Sequence, residues 1–212
     1  MSKNPKIAII DYGLSNLYSI SKALGLFTDS AFITDELSGL RSADAVVLPG
    51  VGAFEAGMNG LKVRGLADGI KEFAGSGKPI LGICLGAQLM LSKGYEFGVF
   101  GGLGLIEGDV VKFPETVKEK IPHVGWNKIC PPKEDSWDKT IFDKLGKDVN
   151  VYFVHSYILK PSNKENILAM SNYGGLEFCS AIYEKNIYGC QFHPEKSAQD
   201  GLQIIKNFVN IL

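Results

Sequence analysis

Apolar runs of strand length recur through the first half of this chain, and each stops abruptly. Ile7-Ala8-Ile9-Ile10 ends at Asp11-Tyr12-Gly13, Ala45-Val46-Val47-Leu48 at Pro49-Gly50-Val51-Gly52, and Pro79-Ile80-Leu81-Gly82-Ile83 at Cys84. A continuous apolar run, unlike an alternating one, belongs to a strand buried on both faces, the condition of a parallel sheet covered by helices. Helical stretches fall between the runs. Ser15 or Asn16 can cap a helix carrying Leu17, Ile20, Leu24 and Phe27 on one side. Ala31-Phe32-Ile33-Thr34 reads as another short strand. Residues 54–73 are punctuated by glycines and predict a loop followed by a helix near 66–73. A further helix is expected over 85–91, directly behind the last apolar run.

Past residue 100 the pattern changes. Segments 105–113, 151–159, 168–172, 181–183 and 187–192 are short, strand-like and joined by polar turns, which predicts antiparallel hairpins. A closing helix is expected from about Asp200 to Leu212, burying Leu202, Ile205, Phe208, Val209 and Leu212. The expected fold class is therefore α/β: a largely parallel central sheet covered by helices on both faces, with an added antiparallel portion in the C-terminal half. Without repeats or a long linker, residues 1–212 are read as a single domain. In such sheets ligands bind beyond the carboxyl ends of the strands, so the loops after Ile10, Leu48 and Ile83 should share one site.

Composition narrows the function classes. A formal net charge of −1, with no basic stripe, gives no footing for nucleic acid or an anionic membrane surface. The lead Met1-Ser2-Lys3-Asn4-Pro5-Lys6 opens an apolar run too short for a signal peptide core or a membrane span, so a cytoplasmic location is expected. Cys84, Cys130, Cys179 and Cys190 form no C-x-x-C pair and no metal-ligand spacing with His123, His155 or His193. Cys130, Cys179 and Cys190 read as small hydrophobic residues or surface thiols, and neither a metal nor an organic cofactor is expected.

Gly82-Ile83-Cys84-Leu85-Gly86 stands between a strand and a helix, as a nucleophile elbow does. By itself the pattern serves equally a buried structural cysteine between flexible glycines. A second stretch, Gln191-Phe192-His193-Pro194-Glu195, places a histidine and a carboxylate two residues apart at the end of an apolar strand. A thiol nucleophile needs a base, and the base needs an acceptor on its far nitrogen. In an extended segment His193 and Glu195 point to one side, so Cys84, His193 and Glu195 together read as a catalytic triad. Pro49-Gly50-Val51-Gly52, after the neighbouring strand, can offer the Val51 and Gly52 N–H groups to an oxyanion, with Leu85 N–H as a further donor. His123 and His155 lack a carboxylate at useful spacing and are read as structural or interface groups.

With these stretches the sequence resembles the class I (triad) glutamine amidotransferases, and among them the glutaminase subunits of imidazole glycerol phosphate synthases. Ile10-Asp11-Tyr12-Gly13 with Asn16 also matches, and Pro122-His123-Val124-Gly125-Trp126-Asn127 and Tyr152-Phe153-Val154-His155-Ser156-Tyr157 carry the narrower resemblance. It implies hydrolysis of L-glutamine to glutamate and ammonia, with the ammonia passed to a cyclase subunit in a heterodimer serving histidine biosynthesis. It also implies a substrate site of Gly50, Gln88, Glu96, Ser156 and Tyr157, and a partner interface near Asn16, Tyr152 and Lys196. Two departures stand out: the first loop reads Gly13-Leu14-Ser15-Asn16, where the family usually has a second glycine, and Ala87 stands where methionine or histidine is common. The competing readings are a paralogue feeding another synthase, such as one for an amidino sugar, a catalytically silent regulatory subunit, and a free-standing peptidase or γ-glutamyl hydrolase.

Overall fold

A computed structural model describes residues 4–146 and 148–212, so the first three residues of the N-terminal lead lie outside the described residues. Strand β1 (Ile7–Ile10) is wholly buried and runs parallel between β2 (Ala31–Thr34) and β3 (Ala45–Gly50). β3 pairs in parallel with β4 (Ile80–Cys84). Successive residues of these strands feed opposite faces, which is why both must be apolar. Ile7, Ile9, Val47, Leu81 and Ile83 pack with Ile20 and Leu24 of α1 (Leu17–Leu24). Ala8, Ile10, Val46, Leu48 and Ile80 pack on the other face, against α2 (Leu37–Ser42), α3 (Phe54–Val63) and α4 (Leu66–Gly75).

Behind β4 stands the short helix α5 (Leu85–Leu89). The chain then adds β5 (Lys93–Gly94), β6 (Phe100–Gly101), β7 (Gly108–Lys112), β8 (His123–Ile129), β9 (Val149–His155), β10 (Tyr157–Pro161), β11 (Ile167–Tyr173), β12 (Leu176–Glu184) and β13 (Ile187–Cys190). The sheet runs β2-β1-β3-β4-β13-β12-β10-β7-β5-β6, with β11 also on β12. The hairpins β11–β12 and β12–β13 are antiparallel as expected, but β13 returns parallel to β4 and joins the two portions. β8 and β9 form a separate antiparallel ribbon. The final helix, α6 (Ala198–Asn210), adds Ile204, Ile205 and Phe208 to the face that α1 covers.

Several boundaries differ from the sequence reading. β3 continues through Pro49 and Gly50, because its pairing with β1 ends at Val47 and leaves that flank free of a ladder that would need the missing N–H. Residues 54–75 form two helices and not a loop plus one; Gly57 lies where a side chain would press on Leu85 and Leu89, so the glycine permits close helix packing. The 151–159 segment is two strands broken at Ser156, and the ribbon strand β8 and helix α2 carried no recognised signal. The helix over 85–91 is shorter, ending at Leu89. In α6 Leu202 is half-buried and Leu212 lies beyond the helix, 41% exposed; Ile204 takes the buried position.

Candidate active site

Cys84 ends β4 and precedes α5 with φ 53° and ψ −109°, a left-handed backbone that a cysteine adopts only when its surroundings enforce it. The flanking glycines show what enforces it. A methyl on Gly86 would stand 1.7 Å from the Leu48 carbonyl oxygen, and one on Gly82 would stand 2.8 Å from Ala87 backbone atoms. The elbow is thus clamped between β3 and its own following helix. The Cys84 sulfur faces the ribbon, 3.9 Å from the Val154 carbonyl.

β13 brings the base. Cys190 pairs with Ile83, so the chain beyond β13 and the thiol at the end of β4 leave the sheet at the same end. His193 is 1% exposed, and its Nδ1 lies 2.8 Å from Glu195 Oε1. A carboxylate only accepts, so Nδ1 carries the proton and Nε2 is left for the thiol. Burial alone would lower the imidazole pKa, but contact with Cys84 and with Glu195 reverses this and raises it to about 9. The pairing does not arise from an extended segment, as the spacing predicted. Residues Pro194–Lys196 form a 3₁₀ turn that folds Glu195 back onto the ring. Ser197, which had no role in the sequence reading, secures the turn: its hydroxyl donates to the His193 carbonyl at 2.6 Å and accepts from Tyr152 N–H at 2.9 Å.

Cys84 opens into a cavity of about 320 Å³, the lower end of the size range for small-ligand sites. Val51, Gly52 and Leu85 line one side, and Gln88, Glu96, Ser156 and Tyr157 the others. Gln88 donates to the Tyr157 carbonyl (3.3 Å) and to Gln191 Oε1 (3.2 Å), while Glu96 accepts from Phe54 N–H at 2.7 Å and so also holds the start of α3. Gly50 does not line the cavity. A side chain there would collide with the Tyr12 hydroxyl at 1.8 Å, so its place is structural. The Val51 N–H donates to the Leu14 carbonyl at 2.7 Å, and the Ser15 hydroxyl to the Pro49 carbonyl at 3.0 Å. The first loop therefore grips the 49–52 turn, in part through backbone groups that no side-chain pattern announces.

The remaining expected residues lie on elements packed against one another. Asn16 caps α1 through Ser19 N–H at 3.5 Å, Tyr152 is half-buried on β9, and Lys196 is exposed in the turn packed against both elements. Trp126, 56% exposed, meets Tyr152 edge-on with ring centroids 6.3 Å apart. His123 and His155 sit away from any carboxylate partner and bond to each other at 3.0 Å. Burial lowers the His123 pKa to about 4 and the His155 pKa to about 3, the latter further opposed by His123 and His193. Burial likewise raises the Cys179 thiol to about 12 and pushes Cys190 up, while Cys130 is exposed. Among the described residues no helix is long and apolar enough to cross a membrane.

Residues 8–212 match the family model of class-I glutamine amidotransferases. The chain belongs to that family. It is thus an enzyme of a fold built around a cysteine nucleophile. An imidazole glycerol phosphate synthase subunit HisH 1 of Legionella pneumophila (strain Lens) is 47% identical over 210 residues, covering 97% of this chain and 99% of the relative. The corresponding HisH subunit of Geobacter sulfurreducens is 43% identical over 208 residues, covering 96% and 97%. Among solved structures, PurLQS from Thermotoga maritima superposes with a TM-score of 0.71 at 20% identity over 98% of this chain and 99% of its own, a likeness of fold.

Proposed function

We propose that this amidotransferase is the glutaminase subunit of an imidazole glycerol phosphate synthase, working as one domain in the cytoplasm and docked on a cyclase subunit in a heterodimer. The observation that carries the chemistry is the contact of the buried His193–Glu195 pair with Cys84, whose elbow opens on the cavity. The full-length likeness to HisH subunits supports the choice of synthase.

The steps follow from the geometry. The Cys84 proton passes to His193 Nε2, and Glu195 stabilises the resulting imidazolium. The thiolate attacks the side-chain carbonyl carbon of L-glutamine, and the carbonyl π electrons move onto oxygen. Collapse of that intermediate breaks the C–N bond, His193 gives its proton to the leaving nitrogen, and ammonia departs from a γ-glutamyl thioester. Water, deprotonated by His193, then cleaves the thioester to glutamate and restores the thiol. Gln88, Glu96, Ser156 and Tyr157 hold the amino-acid end.

The oxyanion donor is the step under control. Val51 N–H is committed to the Leu14 carbonyl, so it serves the cavity only after the Gly50–Val51 peptide turns over. Gly50, on one side of that peptide, rotates at low cost in backbone strain. A partner seated on the surface near Asn16, Tyr152 and Lys196 would bias the turned form by its differential affinity. Loss of one oxyanion donor costs on the order of 10²–10³ in rate. Glutamine hydrolysis by the chain alone should accordingly rise by about that factor when the cyclase subunit and its nucleotide ligand are added. Cys84→Ala should abolish hydrolysis in every condition while ammonia-dependent synthesis persists. Equal rates with and without the partner would remove the gate, and an active Cys84→Ala would remove the triad.

A further inference from the structure

The hydrolytic steps leave unused a buried pair of histidines beside the site. His123 opens β8 and His155 closes β9, and they face each other across the ribbon, 2% and 6% exposed. His155 Nδ1 lies 2.8 Å from the Tyr157 carbonyl oxygen, which only accepts, so that nitrogen carries the proton. Its Nε2 is then a bare lone pair, and His123 Nδ1, 3.0 Å away, must donate to it. His123 Nε2 is in turn the acceptor for the Asn127 amide at 3.5 Å. The Asn127 orientation is set independently, because its oxygen accepts from Lys128 N–H at 2.8 Å and its nitrogen donates to the Asn172 carbonyl at 2.9 Å.

Every donor therefore points one way, from Asn127 through both rings to Tyr157. A proton added to either bare nitrogen would set N–H against N–H, so the chain holds only while both rings are neutral. The enclosure favours that state: His123 stacks on Tyr173 and Phe153 with centroids 3.9 and 4.8 Å apart, and Phe113 and Phe178 stand against His155. At the far end, the Tyr157 carbonyl accepts a second bond, from Gln88. Gln88, His155, Ser156 and Tyr157 all line the cavity.

We propose that His123 and His155 are positioning residues for glutamine recognition, a relay of neutral rings that fixes the Tyr157 carbonyl and through it the Gln88 amide. The relay touches no reacting atom, and it rests on the glutaminase reading above. Its signature is a change in affinity for glutamine-shaped ligands with the chemistry at Cys84 left intact.

The test is saturable alkylation of Cys84 by 6-diazo-5-oxo-L-norleucine, a reactive glutamine analogue, on the full chain, followed by intact mass. Iodoacetamide, which needs no amino-acid recognition, reports the thiol itself. His123→Phe keeps the aromatic enclosure but leaves His155 Nε2 without a donor, whereas His123→Asn restores an amide donor near the lost Nδ1. The expected result is a half-saturating concentration raised about ten-fold in His123→Phe, with a limiting rate within about two-fold, and recovery in His123→Asn. Iodoacetamide should react at the wild-type rate throughout. Unmoved half-saturation in His123→Phe overturns the relay alone. A wild-type chain that the analogue does not label overturns the glutaminase reading and the relay with it. Should His123→Phe fail to fold, long-range ¹⁵N–¹H spectra of the wild-type imidazoles decide: Nδ1–H tautomers on both rings support the relay, and an Nε2–H tautomer on His155 overturns it.

Discussion

The proposed nucleophile and its proposed base come from halves of the molecule built on different principles. Cys84 stands on β4 in a parallel array in which strand, turn and helix follow one another directly, and every contact that shapes the elbow comes from Leu48, Ala87 or Met90. His193 stands at the end of a run of antiparallel hairpins, and its position depends on β13 turning parallel to β4 and on a ribbon outside the main sheet. The parallel half makes its site by local clamping. The antiparallel half makes it by long-range delivery, and a single carboxylate then holds the delivered ring.

That contrast can be tested at both ends. The largest effect is expected where delivery fails: His193→Ala should lower glutamine-dependent turnover by at least about 10⁴-fold. Glu195→Gln, which keeps the turn but not the charge, should cost less, between about 10² and 10⁴-fold. It should also move the His193 titration down from about 9, since Glu195 is one of the groups that raise it. Steady-state rates and the imidazole resonances measure both; a Glu195→Gln enzyme at the wild-type rate would mean that delivery needs no orienting group.

Next in size is the clamp. Gly86→Ala places a methyl 1.7 Å from the Leu48 carbonyl, where only backbone movement of β3 or α5 relieves it. Overpacking of this kind costs about 1–3 kcal/mol and occasionally more, read as a lower urea midpoint. An unchanged midpoint would show the elbow to be looser than its geometry.

The smallest effect separates the histidines by pH. His123 and His155 are lowered to about 4 and about 3, chiefly by burial, against an unfolded value of 6.5. The unfolded chain therefore takes up these protons first, and their contribution to stability, complete above about 6.5, is lost as pH falls toward 3–4. His193, raised to about 9, has the opposite sign: its contribution is complete below about 6.5 and lost as pH rises through 9. Melting temperatures across pH should fall on both flanks, and His155→Phe should flatten the acid flank only.

How much of this was legible in the sequence follows the same division. Continuous apolar runs gave β1, β3 and β4 directly, and glycines at fixed distance from Cys84 gave the elbow, because both are local demands on residue type. The His193–Glu195 pair was found from spacing, although a turn and not an extended segment brings the groups together. Helix α3 was missed because its glycines serve packing, Gly57 against α5 and Gly60 against Tyr12, where a sequence reader sees breakers. The β8 strand, His-Val-Gly-Trp-Asn-Lys-Ile, carries glycine and asparagine at positions that weaken a strand signal. Gly50 was assigned to the substrate, yet it is required by Tyr12, which lies 38 positions earlier in sequence (50 − 12). The hold of Leu14 on Val51 left no trace in residue types, since main-chain carbonyls look alike in every sequence.

The ribbon of β8 and β9 has a mechanical consequence. It is fastened at one end by the paired hydrogen bonds of Cys130 and Met170, and at the other by the continuation of β9 through Ser156 into β10 of the main sheet. Midway between these supports stand Trp126 and Tyr152, and the Tyr152 carbonyl accepts the His193 N–H at 2.9 Å. At that point Tyr152 N–H also donates to the Ser197 hydroxyl at 2.9 Å, so the ribbon and the turn after His193 are tied through both backbone groups of one residue. The exposed indole of Trp126 stands directly opposite that tie, and a shift of about 1 Å there would be worth as much as 10²-fold in rate if His193 is the base.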